Sequence, residues 1–292
     1  MLNPTTVVVD RFCDALNCYY QTMFGAEEPM VPVRIAFGAR LILEQVANSD
    51  ALYHNLQHTI LVTCVGQEIF RGRFLRQRLF PSDWLHYTAA LLCHDIGYVR
   101  GVCAGDTLHT FVIDTDGNRV AAPRGASDAF LTPYHVDRGK IFVRDRLKDV
   151  PEIDEERVAK GIELTRFPVP ESSDHQETGT EAGLVRAADL IGQLADPNYP
   201  QRLTALYYEF VETGVAERLG YRSAADLADA YPRFFWDSVR PYITEALGYL
   251  QLTQEGKQWI ANLYAHVFAM EHGQYRFGPV TGTATDETGL RP

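Results

Sequence analysis

Three short segments concentrate the residues able to do acid–base or metal chemistry. The first, Tyr53-His54-Asn55-Leu56-Gln57-His58, carries two histidines four apart, on one face of a helix or of its first turn. The second, Leu91-Leu92-Cys93-His94-Asp95-Ile96-Gly97, closes an apolar stretch with a His-Asp pair and runs into a glycine. The third, Ala187-Ala188-Asp189-Leu190, sets one carboxylate in an otherwise apolar helical pattern. Charged side chains are rarely buried without a partner or a bound ion, so Asp95 and Asp189 need company. Each segment alone carries little weight, because a lone histidine in an apolar helix is more often a hydrogen-bonded core residue. Together, two imidazoles and two carboxylates from three helices make a mixed nitrogen and oxygen set that suits a divalent first-row metal.

The elements that must position these groups are helical. Apolar residues recur at spacings of three and four over 7–24, 35–51, 58–70, 84–92, 136–147, 157–164, 180–194, 203–211, 235–250 and 256–270, the last behind the start signal Thr253-Gln254-Glu255. Strand patterning is confined to 108–113, followed by Asp116-Gly117, which reads as a hairpin arm and its turn. The expected fold is all-α, a single helical domain over 1–278 with an irregular insertion at 101–133. An insertion of that length suggests a lid over a site. The stretch 279–292, rich in Gly, Thr and Pro, is expected to be a disordered tail.

Composition narrows the function from the other side. The chain has 292 residues, 46 % of them hydrophobic, and 27 Lys+Arg against 38 Asp+Glu give a formal charge of −11. Such a balance argues against a general nucleic-acid or anionic-membrane binder, which needs a concentrated positive field. It leaves room for a phosphate substrate, since a bound cation inverts the local field. The five cysteines include no CxxC pair and read as free thiols of a reducing compartment. With no leader-like segment and no 18-residue apolar run, the expectation is a soluble, cytoplasmic protein. Arg71, Arg73, Arg76 and Arg78 read as a solvated face, and His86, His266 and His272 as structural.

The three segments, in this order and spacing, resemble the HD superfamily of metal-dependent phosphohydrolases, named for the pair that His94-Asp95 matches. The nearer likeness is to the catalytic domain of cyclic-nucleotide phosphodiesterases, an HD/PDEase-like helical bundle. Tyr53-His54-Asn55 with His58, His94-Asp95, and Ala188-Asp189 match that family's motifs, over roughly residues 45–250. Tyr208-Glu209-Phe210 resembles its Glu-Phe segment, and Phe234 with Val239-Arg240-Pro241 its purine-clamping region. The resemblance implies that His58, His94, Asp95 and Asp189 bind one metal, that Asp95 bridges to a second, and that His54 is a general acid. The implied cofactors are two divalent ions, of Fe, Mn, Zn or Mg.

Departures from the pattern are specific. Tyr98 stands three residues beyond Asp95, where that family carries another histidine, and His94-Asp95-Ile96-Gly97 reads more like bacterial HD hydrolases, the HD-GYP group included. Tyr134-His135-Val136 sets a histidine before a helix, where some of those bacterial proteins carry an extra ligand. His135 is thus a candidate ligand of the second metal, the alternative being a surface or helix-capping histidine. His109 and His175, in loop-like sequence, are further candidates to approach the metals. Tyr231 replaces the glutamine that reads the purine edge in the eukaryotic enzymes, and a phenol cannot make that bidentate contact. Phe234 remains available for stacking, and Phe234 and Tyr231 are the candidate substrate-contacting residues.

The expected function is hydrolysis of a phosphodiester, a cyclic nucleotide first, by a hydroxide bridging two metals, with His54 protonating the leaving oxygen. Two alternatives stay open: a nucleotide or phosphomonoester phosphohydrolase, and an HD module that binds metal and nucleotide without turnover. The expected partner is a small phosphoester or nucleotide, with no nucleic acid and no membrane.

Overall fold

Helix α3, Leu56–Arg76, is buried on several faces, which is why it lacks a clean apolar stripe. Its buried Gln67 is satisfied: Trp84 Nε1 donates to Gln67 Oε1 at 2.6 Å, and Gln67 Nε2 donates to Thr88 Oγ1 at 3.0 Å. Around it pack α4, Pro81–Cys93, which is nearly all buried, and α7, Glu181–Leu194. The approach of α3 to α7 is close enough to require glycine, since a Cβ on Gly192 would stand 2.7 Å from Val62 Cα. One turn back from that contact, the two helices carry His58 and Asp189.

The computed structural model describes residues 2–274. The chain begins with α1, Pro4–Phe24, and α2, Met30–Val46, packed as a pair. After α4 a short turn, Ile96–Tyr98, leads into the insertion, which holds the strands β1, Thr110–Val112, and β2, Arg119–Ala121. The strands pair antiparallel with Phe111 opposite Val120. Then follow α5, His135–Leu147; α6, Glu155–Leu164; the already described α7; α8, Tyr199–Glu212; α9, Val215–Leu219; α10, Ala224–Phe234; α11, Arg240–Leu250; and α12, Gln254–Glu271. The architecture is all-α apart from this hairpin. One apolar core runs from α1 to α12.

The insertion is a tethered subassembly with its own small core of Phe111, Phe130 and Leu131. Buried Arg138 of α5 organises its base. Arg138 donates to the carbonyls of Gly97 (2.7 Å), Val99 (2.9 Å) and Val112 (2.5 Å), and pairs with Asp106 at 2.9 Å. With a further contact to the second Asp106 oxygen at 3.2 Å, five acceptor contacts on one guanidinium satisfy a buried charge that would otherwise be very costly.

The elements differ from the expected ones in instructive places. Helix α2 starts five residues earlier than the apolar pattern and ends at Val46, because Pro32 is tolerated in a first turn. Helices α9 and α10 were not expected from periodicity. The stretch 235–250 opens with one π-helical turn, Phe235–Val239, before α11. Pro232 and Pro241 bracket that turn, and neither has an amide hydrogen for the helical ladder. Thr253 caps α12 as expected, accepting from the Gly256 amide. All five cysteines are free thiols, and no helix among the described residues is long and apolar enough to cross a membrane. The expected tail, 279–292, lies outside the described residues.

Candidate metal centre

His58 enters the site on the first turn of α3, whose N-cap Asn55 accepts from the Gln57 amide at 3.0 Å and the His58 amide at 3.4 Å. His54 precedes that cap, so it lies in the approach turn and its ring is free to face a different neighbour. His94 and Asp95 follow the last turn of α4, and Asp189 sits midway along α7. Gly97 lets the chain leave the cluster, because a Cβ there would run into the His135 carbonyl at the start of α5. Four elements therefore meet at one point.

Four ligand-type atoms converge there. His58 Nε2 lies 3.3 Å from Asp95 Oδ2 and 3.3 Å from Asp189 Oδ1. His94 Nε2 lies 3.1 Å from Asp95 Oδ2, 3.6 Å from Asp189 Oδ1 and 3.4 Å from His58 Nε2. Atoms bound about 2.0–2.2 Å from one ion stand roughly 2.8–3.6 Å apart along the edges of a tetrahedron or octahedron. The five separations fit those edges; His58, His94 and Asp189 offer ligand atoms all within 4.8 Å of one another, and Asp95 joins them through its contacts with His58 and His94. His94 Nδ1 lies 2.8 Å from the Leu91 carbonyl, which places the proton on Nδ1 and the lone pair on the converging Nε2. Buried Asp95 Oδ2 makes no hydrogen bond of acceptable geometry, although two imidazole nitrogens face it. An orphaned carboxylate oxygen between two imidazole nitrogens is what a cation would satisfy.

Electrostatics point the same way. Burial would push the His58 imidazole down, but contact with Asp189 and Asp95 raises it to about 9. Burial likewise opposes ionisation of Asp95, yet the charge of His94 and the approach of His58 hold its carboxyl well below the usual range. Without a metal, protons take the place of the cation, and binding one must displace them.

The remaining oxygen of Asp95 faces outward from this set. Asp95 Oδ1 lies 3.9 Å from His135 Nε2, and His135 Nδ1 lies 2.6 Å from the Thr132 carbonyl. Burial keeps the His135 imidazole below its ordinary range, hence neutral. Asp95 is thereby placed between two groups of imidazoles.

The family model of the Npun_R2479-like proteins matches residues 2–273. The chain belongs to the Npun_R2479-like family. No curated protein shows significant similarity to it.

On the outer side of the cluster, His54, His58 and Asp95 offer ligand atoms within 4.8 Å of one another. His54 Nδ1, however, is committed to Glu209 Oε2 at 2.6 Å. The other Glu209 oxygen accepts from the Tyr53 amide at 2.6 Å and the His54 amide at 3.2 Å. Burial would raise the Glu209 carboxyl, but the His54 charge and these hydrogen bonds hold it below the ordinary range. Glu209 thus anchors both the backbone and the ring of His54. Sequence reasoning placed Glu209 only within a family segment and gave it no task. The signal was present, for Leu203, Leu206 and Glu209 share the buried face of α8.

Other expected site residues lie elsewhere. His175 Nε2 pairs with Glu163 at 3.1 Å and Nδ1 with Ser172 at 2.9 Å, which occupies both ring nitrogens away from the cluster. His109 is exposed on the insertion beside β1. Tyr231 is 2 % exposed and packs on Tyr199, so its ring is core rather than substrate surface. Phe234 packs edge-on against the 43 % exposed Phe167, with centroids 5.6 Å apart.

Proposed function

We propose that the protein is a metal-dependent phosphoester hydrolase. The observation that carries this reading is the convergence of His58, His94, Asp95 and Asp189, with an anchored imidazole, His54, beside them. His58, His94, Asp95 and Asp189 would hold one divalent ion, and Asp95 with His135 a second. Bound divalent ions supply charge to a phosphoryl oxygen and acidify a water molecule.

The chain's own residues divide the remaining work. Glu209 takes Nδ1 of His54, which leaves Nε2 as the nitrogen able to hand a proton to a departing oxygen. The same carboxylate fixes the two amides behind that ring, so the donor is preorganised by backbone as well as side chain. Arg202 steadies the turn by donating to the Tyr53 carbonyl at 2.8 Å while pairing with Asp196 at 2.8 Å. The substrate is proposed to be a small phosphodiester, with cyclic nucleotides first, and the Phe167–Phe234 pair offers a surface for stacking a base. Purine-edge readout by Tyr231 is not part of the proposal, because that ring is buried.

Elemental analysis of the purified protein, with a panel of cyclic mononucleotides, cyclic dinucleotides, nucleotides and monoesters, tests the reading. A divalent ion that co-purifies and chelator-sensitive hydrolysis are expected. Absence of bound metal together with no turnover in added Fe, Mn, Zn or Mg would overturn it. Metal and nucleotide binding without turnover would point instead to a binding module.

A further inference from the structure

We infer that Tyr98 is a positioning residue that keeps His54 a proton carrier; the inference rests on the hydrolase reading above. Its ring walls the His54 imidazole off from His135 and holds it against Glu209. The observation is a stack of three rings. His54 and Tyr98 lie face to face, with centroids 4.6 Å and planes 9° apart. The opposite face of Tyr98 stacks on His135, at 4.5 Å and 25°. Tyr98 is 2 % exposed, and its hydroxyl contacts the Thr132 side chain, the residue whose carbonyl also orients His135.

The geometry gives this position a task. Because His54 lies within reach of the ligand atoms of His58 and Asp95, a freely rotating imidazole there would compete as a metal ligand. An imidazole ligated through Nε2 has no proton to give from that nitrogen, and its Nδ1 is taken by Glu209. The Glu209 hydrogen bond restrains one ring atom, whereas a face-to-face stack restrains the ring plane, and the two together leave a single orientation. An aromatic spacer also keeps His54 and His135 from closing on the same ion, whereas an aliphatic side chain there would leave the ring faces unsupported.

Two kinds of variant separate the ring face from the hydroxyl and from bulk. Tyr98→Phe keeps the face; Tyr98→Leu and Tyr98→Met keep apolar volume and lose it. Each is assayed on an alkyl phosphodiester, whose leaving oxygen needs a proton, and on a nitrophenyl diester, whose leaving group does not. The phenylalanine variant should stay within about threefold of the parent on both. The leucine and methionine variants should lose roughly 10- to 100-fold on the alkyl ester and less than about threefold on the nitrophenyl ester. Imidazole proton resonances, assigned with His54→Gln and His135→Gln, give a readout independent of turnover. Stacking on Tyr98 shifts them upfield; the shift should survive in Tyr98→Phe and vanish in Tyr98→Leu. A leucine variant with the parental ratio of rates or unchanged imidazole shifts overturns the proposal, as does a phenylalanine variant equally impaired. If the parent binds no ion and hydrolyses neither ester, the hydrolase reading fails, while the imidazole shifts still decide whether Tyr98 positions His54.

Discussion

Among the described residues, two clusters of histidine and carboxylate invite comparison, and the buried His/Asp groups of one of them could hold a metal ion. Around Glu163 every carboxylate meets a cation. Lys140 and Arg166 contact both Glu163 and Asp137, with Arg166 at 2.6 Å from Glu163 and 2.9 Å from Asp137, and His175 closes the set at 3.1 Å. At the ligand cluster, Asp95 and Asp189 face only imidazoles, and among the described residues no lysine or arginine pairs with either. The Glu163 network is complete as it stands, whereas the other set has converging ligand-type atoms and an orphaned oxygen. Residue types alone do not separate the two. The balance of cationic donors does.

The largest expected effect tests that contrast directly. Asp95→Ala should abolish co-purified metal and lower hydrolysis by roughly 10³-fold or more, the scale of losing a group that stabilises transition-state charge. Glu163→Gln, by contrast, should keep the parental metal content in the same elemental analysis. Equal metal content in both variants would erase the distinction. Next in size, His54→Ala should retain metal but slow an alkyl diester by about 10²- to 10⁴-fold, with a smaller loss on nitrophenyl esters. Steady-state rates on both substrates check it.

Chelation comes third. A bound ion present at roughly 100 to 1,000 times its Kd stabilises the native state by about 3–4 kcal/mol. Scanning calorimetry should therefore show EDTA lowering the Tm by several degrees in the parent and not in Asp95→Ala. The smallest effect belongs to the ion-pair network. Burial would raise the Glu163 carboxyl, but Arg166, Lys140 and His175 depress it to about 2, from an ordinary value of 4.5. A depressed carboxylate contributes stability above its ordinary value and loses it as pH falls toward 2. Denaturant unfolding between about pH 5 and pH 2 should be steeper in pH for the parent than for Glu163→Gln. Parallel curves would mean that the network adds no stability of its own.

His58, His94, Asp95 and Asp189 were legible because each is a charged or imidazole side chain in an apolar helical setting, and such groups need partners. His135 was legible as a candidate, and the structure sets it beside Asp95. His175 resembled it in sequence, yet it pairs with Glu163, a partner that no local pattern announces. Tyr231, a candidate substrate residue, is likewise buried in the core, where its ring packs on Tyr199, over thirty residues away. Tyr98 stood out only as a departure from a pattern.

The sequence by itself determined the helical framework, the sparse hairpin and the residues able to bind a cation. Apolar periodicity and charge in an apolar context are local properties, readable along the chain. Tertiary structure decided which imidazoles share a carboxylate, that Glu209 holds His54, and that Tyr98 lies between His54 and His135. Those outcomes depend on helices separated by up to 155 residues meeting within hydrogen-bond distance. Packing of α3 on α7, and the contact of the turn before α3 with α8, set that distance, and spacing along the chain does not.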